Sequence, residues 1–474
     1  MSVDREALRD TAKYLRNARP VDPEEIFEYL PDQPHPAVVR QALREEAFDL
    51  GLFERVDGTF VPAAEGPVDP PGWDPGAFPG AYADALADLL VERYGPGWHE
   101  GESGDVLRGV IERLKEDYYR GREVTYDADA ALGYAIYHLP DFYAAVGYVL
   151  DTLAARGLLP RRLRVLDVGA GTGGPALGLH DYLPDDAVVD YHAVEPSANA
   201  DVLADLLGET RRNFRATIHR KTAEEFDPES VGDVDLVLFG NVLSELADPE
   251  AVVANYLDAL AADGACALLA PADLNTSTGM RSVERAVATP ESDVTVYAPD
   301  LRLWPGEAPS DRGWSFEERP DLAVPAFQRR LDDAAPRGPG DEPGEFVNAD
   351  VKFSYAVLRT DGERRVPVVA SEERHARMAD SGDHVTDRVN LLAVKLSANL
   401  AGPDANPLFK LGDGSERVEH YAVLTGESML NEDLRAASYG AVLSFENVLV
   451  LWNDDEGAYN LVCAEETVVE TLAR

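Results

Sequence analysis

The sequence predicts an α/β protein: a Rossmann-like, doubly wound sheet between an N-terminal winged-helix-like module and a C-terminal OB-fold-like β-barrel. Three observations predict it. In the middle of the chain the apolar runs RVLDVG, VVDYHAVEP, ATIHR, DLVLFGNVL and ACALLAPAD alternate with helical stretches, the βαβ rhythm of a parallel sheet. Before them stand three short helical patterns and a hairpin signal. After them come five strand-like runs with a helical stretch before the fourth, the sequence order of an OB-fold.

Taken in order, residues 4–17, 22–30 and 36–50 read as helices, the third carrying Val38, Val39, Leu43 and Ala47 at helical spacing. LFERVDGTFVPA reads as two strands turned at Asp57-Gly58. Residues 1–63 are therefore either a winged-helix-like module or a small helical protein-binding module, because the Glu-rich third helix would face phosphates poorly. The Pro/Gly stretch AEGPVDPPGWDPGAFPG opens a linker and helical segment over 64–128, with helical patterns at 82–120 and again at 129–156. The sheet domain spans 129–370 and includes a second linker-like stretch, LDDAAPRGPGDEPGEF. VKFSYAVLRTDGERRVPVV then reads as a strand pair turned at Asp361-Gly362, and SEERHARMADSGDHVTD as a polar separator. The barrel, 385–474, has strands at about 388–397, 407–411, 416–424, 441–451 and 458–463, with a helix near 431–437.

The 474 residues carry 43 Lys and Arg against 87 Asp and Glu, a net charge of −44. Nearly all the basic charge is Arg, and the acidity is dispersed. Such a surface fits a salt-rich, halophilic cytoplasm, where the Debye length of about 3 Å screens self-repulsion. In that medium an acidic chain can still bind nucleic acid, provided stacking and shape replace phosphate contacts. Cys266 and Cys463 are too few for a disulfide framework or a thiolate metal site, so no metal is expected. The charged start MSVDREALRDTAKYLRNAR lacks the apolar centre of a signal peptide, and no apolar stretch escapes interruption by charge or proline, so a soluble cytoplasmic protein without a membrane partner is expected.

The chemistry is carried by VLDVGAGTGG, Val165 to Gly174. A strand ends at Asp167-Val168, and Gly169, Ala170, Gly171, Thr172 and Gly173 form a turn that lets the backbone approach a ligand before a helix begins. Gly169, Gly171 and Gly174 also satisfy the dinucleotide fingerprint, and Glu195 ends the next strand where either reading places a ribose-binding carboxylate. Asp167 separates the two readings, since a dinucleotide fold usually has an apolar residue two before the first glycine. After the fourth strand FGNVLSEL places Asn241, Ser244 and Glu245 at the substrate end of the sheet. No catalytic residue is identified: the Asn/Asp-Pro-Pro-aromatic motif is absent, and Cys266 lies in an apolar run and reads as core.

VLDVGAGTGG resembles the first motif of class I S-adenosylmethionine methyltransferases. The resemblance implies S-adenosylmethionine as cofactor, Asp167 near its methionine part, Gly169 to Gly173 as its floor, Glu195 on both ribose hydroxyls, and Asn241 among the cofactor contacts. HRKTAEEF departs from the pattern, offering Lys221, Thr222 and Glu224 where many such enzymes bind adenine with Asp. In order, YAIYHLPDFYAAVGYVL, FGNVLSEL, WSFEERPDLAVPAFQRR and VKFSYAVL resemble the Rsm-type methyltransferase-like family of the small ribosomal subunit, over about 129–359. That family implies partners in small-subunit ribosomal RNA or an assembly intermediate, with activity or a purely structural assembly role both open. A small-molecule methyltransferase with fused regulatory domains is the remaining alternative. The family's iron–sulfur cysteines are missing from LRLWPGEAPSDRGWSFEERP, where Trp304, Trp314 and Phe316 read as core. The C-terminal barrel is similar to archaeal single-strand-binding OB domains, which implies single-stranded nucleic acid as its partner, Phe409, Tyr421 and Trp452 as stacking platforms, and Lys395, Lys410 and Arg417 nearby.

Overall fold

The structure, a computed structural model, describes residues 3–31, 33–120, 122, 124–309, 314–338 and 342–473. The chain forms two compact units, Met1–Leu238 with Leu322–Ala349, and Phe239–Asp321 with Asp350–Arg474.

The first unit opens with α1 (Arg5–Leu15), α2 (Pro23–Ile26), α3 (Pro36–Glu46) and a hairpin of β1 (Leu52–Glu54) and β2 (Phe60–Pro62), the three helices and hairpin expected from the sequence. Asp4 and Asp22 cap the first two helices by accepting from Ala7 and Glu24 N–H, and Pro23 and Pro36 sit in first turns, where a missing N–H leaves no bond unmade. Leu8, Val39, Leu43, Leu52 and Phe60 form their core. Glu54 and Asn213 exchange backbone–side-chain hydrogen bonds of 2.9 and 3.0 Å. Beyond this arrangement nothing specific to a winged helix is shown.

The stretch 64–80, read as a linker, is packed: the Trp73 indole donates to Ala144 O at 2.9 Å and fills the space that a side chain at Gly147 would need. It leads into α4 (Gly80–Tyr94), α5 (Gly101–Tyr119) and the long α6 (Ala128–Ala154). Pro140 stands inside α6 and has no N–H to give the Ile136 carbonyl. Gln328 supplies the missing donor, its Nε2 reaching Ile136 O at 2.8 Å.

Next come β3 (Arg162–Val168), α7 (Gly174–Tyr182), β4 (Val188–Val194), α8 (Asn199–Leu207), β5 (Phe214–His219) and β6 (Val234–Gly240). Their strand order is β5-β4-β3-β6, with β3 parallel to β4 and β4 to β5. The nearly unbroken burial of β3, β4 and β6 is what a sheet covered on both faces requires. These strands match the runs picked from the sequence.

In the second unit the chain continues from the last residues of β6 through α9 (Pro249–Leu257), β7 (Leu260–Pro271), α10 (Leu274–Val287), β8 (Thr295–Ala298) and β9 (Glu317–Arg319). After α11 (Ala326–Asp333), which belongs to the first unit, β10 (Val351–Arg359) runs antiparallel between β7 on one side and β8 and β9 on the other. Both edges of β10 are thus taken, so the strand expected after Asp361-Gly362 does not form. Arg364 is instead held by Asp300, Pro367 offers no N–H, and Val366 and Ala370 turn into a core with Leu301, Leu303 and Trp304.

The C-terminal part of this unit holds β11 (Arg388–Lys395), β12 (Leu408–Gly412), β13 (His420–Leu424), α12 (Glu432–Ala436), β14 (Val442–Asn453), β15 (Ala458–Cys463) and β16 (Val468–Ala473). Five strands close in the circuit β11-β12-β13-β15-β14-β11, with β13 and β15 parallel, and β16 adds to β14. This closed barrel is consistent with an OB-like domain. Strand β13 starts later than expected because Asp413 to Glu416 form a turn in which Glu416 accepts from the N–H groups of Asp413 and Gly414. Among the described residues no helix is long and apolar enough to cross a membrane.

Candidate active site

In the first unit β3 delivers Asp167 and stops at a loop in which Gly169, Gly171 and Gly173 take φ of 65°, 55° and 97°. The glycines differ in purpose. A Cβ on Gly171 would make ordinary contacts, with the Tyr134 ring at 3.6 Å and Gly169 O at 3.9 Å, whereas one on Gly173 would strike Leu203 at 2.6 Å. Gly174 and Gly178 serve close packing of α7 on α6, since a Cβ at either would fall under 3 Å from Phe142, or from the Tyr143 carbonyl and Val146. The N–H groups of Gly169 and Ala170 donate to Val194 O at 2.9 and 3.2 Å, fixing the loop to the end of β4.

Glu195, the residue after β4, is buried, with one oxygen accepting from Gly171 N–H at 2.9 Å and the other from Ser197 N–H at 3.0 Å and its hydroxyl. A carboxylate oxygen has room for two donors, so Oε1 is filled by Ser197 and Oε2 can still accept from a ligand hydroxyl. Asp167 is fully buried. Its Oδ2 accepts from the Tyr191 hydroxyl, and its Oδ1 has no partner. Burial pushes its carboxyl up to about 7, with the Tyr191 hydrogen bond opposing and the Glu195 charge adding to the rise. A buried carboxylate oxygen without a donor is costly and marks a place where a ligand N–H fits.

The structure therefore gathers Asp167, Gly169, Ala170, Gly171, Thr172, Gly173 and Glu195 in one place. Asn241 belongs to the second unit, where it has a left-handed φ of 63° and donates its N–H to Leu269 O at 3.0 Å. Ser244 and Glu245 beside it are exposed. Sequence reasoning passed over two groups near the loop. One is Asn199, whose buried Oδ1 has no partner. The other is Tyr134, His138 and Phe142, four residues apart on α6, whose rings succeed one another at 5.0 Å between centroids. That period of four was the available signal.

Residues 166–266 match the family described as Methyltransferase domain. The chain carries a methyltransferase domain. The buried acceptors and the open face of Gly171 suit the S-adenosylmethionine expected of such a domain. Residues 5–56 and 379–472 match the N-terminal and C-terminal domains of a domain of unknown function, DUF8157. Among solved structures, a cyclopropane synthase MmaA2 from Mycobacterium tuberculosis is 18% identical, over 23% of this chain and 36% of its own, with a TM-score of 0.20. The chain thus spans about a third of that protein's length. The plantazolicin methyltransferase BpumL in complex with SAH is 14% identical, over 60% of this chain and 100% of its own, with a TM-score of 0.29. A methyltransferase structure from Thermoplasma acidophilum is 14% identical, over 44% and 70%, with a TM-score of 0.27. No curated protein matches.

Outside the methyltransferase loop, several sequence candidates are committed elsewhere. Phe409 lies in the barrel core, at 2% exposure, so it cannot stack on a base. Lys395 donates to the carbonyls of Arg435 and Ala437 and sits over the Phe409 ring. Lys410 is bound by Trp314 O and Glu419, and Arg417 by Glu307. Tyr421 is half-buried and Trp452 is 40% exposed, its ring 4.8 Å from that of Tyr459. Trp304 is core and bonds Asp413, Phe316 is half-buried, but Trp314, at 37% exposure, is not core: its indole is drawn to the surface by Ala272 O. Among the described residues no group of three or more His, Cys, Asp or Glu could hold a metal ion.

Cys266 and Cys463 are both buried, and burial pushes the Cys463 thiol up to about 12 and Cys266 further. Neither thiol is expected to react with Ellman's reagent in the folded protein, and both should react in guanidinium. Rapid titration of Cys266 in the native state would show that the β7 core is open.

Proposed function

We propose that this chain binds S-adenosylmethionine in the cradle of Asp167, Gly169 to Gly173 and Glu195, and methylates RNA of the small ribosomal subunit. The observation that carries the cofactor reading is the Asp167 Oδ1, a buried acceptor without a donor at the edge of the glycine loop. When bound, the cofactor supplies an electrophilic methyl group. Asp167 would accept from the ammonium of its methionine part, the bare Gly171 backbone would let the ligand lie close, and Glu195 Oε2 would accept from a ribose hydroxyl. Methyl transfer to a good nucleophile needs mainly in-line positioning, which a rigid loop between β3 and α7 supplies.

The RNA reading rests on the resemblance carried by LPDFYAAV and KFSY, on the OB-like barrel with its exposed Trp452, and on an N-terminal module of winged-helix-like element order. A non-catalytic assembly factor is the second reading, favoured by FGNVLSEL, which lacks the acceptor motif of amino-methylating enzymes. The dispersed acidity suits a salt-rich medium, so binding is tested in molar KCl.

Calorimetry in that medium is expected to show stoichiometric binding of S-adenosylhomocysteine and none of NADH; the reverse would sink the cofactor reading. For the RNA, a fluorescent single-stranded oligonucleotide is titrated with the full chain and with Trp452→Ala. Loss of one stacking contact, worth about 1–3 kcal/mol, should weaken binding roughly 5- to 100-fold. Equal affinities would mean that the barrel does not engage RNA through this ring.

A further inference from the structure

Within the first unit, the seam between the N-terminal helices and the sheet gathers positive charge in a chain that is strongly acidic. Arg16, just after α1, and Arg162, at the start of β3, converge on Gly51: a Cβ there would stand 3.8 Å from Arg16 Nη1 and 3.5 Å from Arg162 Nη1. Gly51 has a left-handed φ of 58°, and its missing side chain puts nothing between the two guanidinium groups. Each donates to a carbonyl of the stretch after α3, Arg16 to Leu50 O and Arg162 to Phe48 O at 3.4 Å. Among the described residues neither is paired with a carboxylate. Arg164 follows two residues on, on the same side of β3, and the Phe48 ring centre lies 5.4 and 4.6 Å from the guanidinium carbons of Arg162 and Arg164. The strand register then sets Asp190 of β4 between Arg164 and Arg215 of β5. Asp190 accepts from Arg164 Nε at 2.9 Å, whereas Arg215 Nη1 and Nη2 are buried without an acceptor. Burial brings the Arg215 pKa down to about 10, with Glu54 and Asp190 opposing and Arg44 adding to the fall. Glu54 is already taken by Arg44 in two bonds of 2.7 Å, and Arg212 stands 3.6 Å from it.

Arg164 is also held by Asp49 through Nη2 and by Asp235 through its N–H. Among the described residues the contacts of the seam thus involve six arginines and four carboxylates, in a chain with 43 Lys and Arg against 87 Asp and Glu. Like charges gathered with too few counter-charges repel unless an anion is set between them, and the planar guanidinium fork suits phosphate. We propose that this seam binds the phosphate groups of an RNA backbone, Arg16 and Arg162 gripping one phosphate across Gly51 while Arg164 and Arg215 add to the positive field around it. The inference rests on the RNA reading above and gives the N-terminal module a part in it. Phosphate contacts place a strand and carry no sequence information, so this grip sets where the RNA lies and leaves the choice of base to other surfaces. The grip stands at the start of β3 and the glycine loop follows its end at Val168, a separation of about 20 Å at roughly 3.3 Å per residue. The RNA is therefore anchored at the end of the sheet away from the cofactor cradle.

The test is a titration of fluorescein-labelled single-stranded RNA with the full chain between about 0.2 and 1 M KCl, a range over which phosphate contacts weaken steeply. Thermal melts of each variant accompany it. Arg16→Gln combined with Arg162→Gln should lower the slope of log affinity against log salt by about 0.7, the value of one phosphate on a single strand. It should also weaken binding roughly 10-fold or more at the low-salt end. Arg16→Lys combined with Arg162→Lys keeps both charges and should keep the slope. Arg120→Gln removes a cation paired with Glu116 on α5 and should change neither quantity. If RNA still binds and the glutamine pair leaves the slope unchanged, the seam is not the site and the RNA reading stands. A slope lost equally in the lysine pair also overturns the proposal, since the effect would then come from the carbonyls after α3 and not from charge. If the full chain binds no RNA at any of these salt concentrations, the RNA reading fails and this proposal falls with it.

Discussion

Asp167→Asn is expected to make the ligand-free protein more stable at pH 8 while weakening S-adenosylmethionine binding roughly 10- to 100-fold, the value of a charge-assisted hydrogen bond. The sign follows from burial. The folded carboxyl sits at about 7 against an ordinary 3.8, so the native state holds its proton where the unfolded chain has lost it. Below pH 4 both states are protonated and the group costs nothing. As pH rises from 4 to 7 the unfolded state gains, and above 7 the native state carries the full cost of a buried carboxylate, about 4 kcal/mol at most for three pKa units. Asn keeps an acceptor for the Tyr191 hydroxyl and removes the charge. The variant should therefore melt several degrees higher at pH 8, with the gap closing toward pH 4. Wild-type cofactor affinity should also rise with pH up to about 7 and then level. A variant that melts lower at pH 8 would disprove the burial cost, and one with unchanged affinity would remove Asp167 from the cradle.

Gly178→Val should cost roughly 3 kcal/mol or more of stability, because its Cβ would lie 2.3 Å from the Tyr143 carbonyl and 2.4 Å from Val146, between two helices that cannot part without opening the core. Gly171→Ala is the contrasting case. Its Cβ finds 3.6 Å of room, so the only folding cost is about 1–2 kcal/mol for a left-handed residue, yet the added methyl stands on the face offered to the ligand. Thermal melts with and without S-adenosylhomocysteine separate the two. Gly178→Val should melt far below wild type, whereas Gly171→Ala should melt near it and gain nothing from ligand. A wild-type melt for Gly178→Val would show that α6 and α7 are not closely packed.

The sheet and the cofactor loop were legible because their signals are local. Val165 to Gly174 carries strand, turn and helix start in ten residues, and the hydrophobic runs of β3, β4, β6 and β7 leave few alternatives for a buried strand. The barrel was legible in its strand spacing and not in its surface. Alternation cannot tell which face turns inward, so Phe409 read as a platform although it is core, and no pattern reveals that Lys395 is spent on the carbonyls after α12. The missing partner after Asp361-Gly362 had a non-local cause, since β10 finds its neighbours far away in sequence. The row of rings at Tyr134, His138 and Phe142 has a partner in the loop only once the fold sets Gly171 beside Tyr134 and Gly174 beside Phe142.

The bond from Gln328 to the Ile136 carbonyl sets a clock on synthesis. Its partners are 192 residues apart, so at about 5–20 residues per second a ribosome makes the donor some 10 to 40 s after the acceptor. During that interval α6 has a proline-made gap in its ladder that only water can fill, although the strands that follow it are already available. Nascent chains arrested between β6 and α11 should be cut by proteases within α6 near Pro140, and extension past Ala349 should abolish that cleavage in one step. A translational slowdown across that span would lengthen the vulnerable period without changing a single contact of the finished molecule.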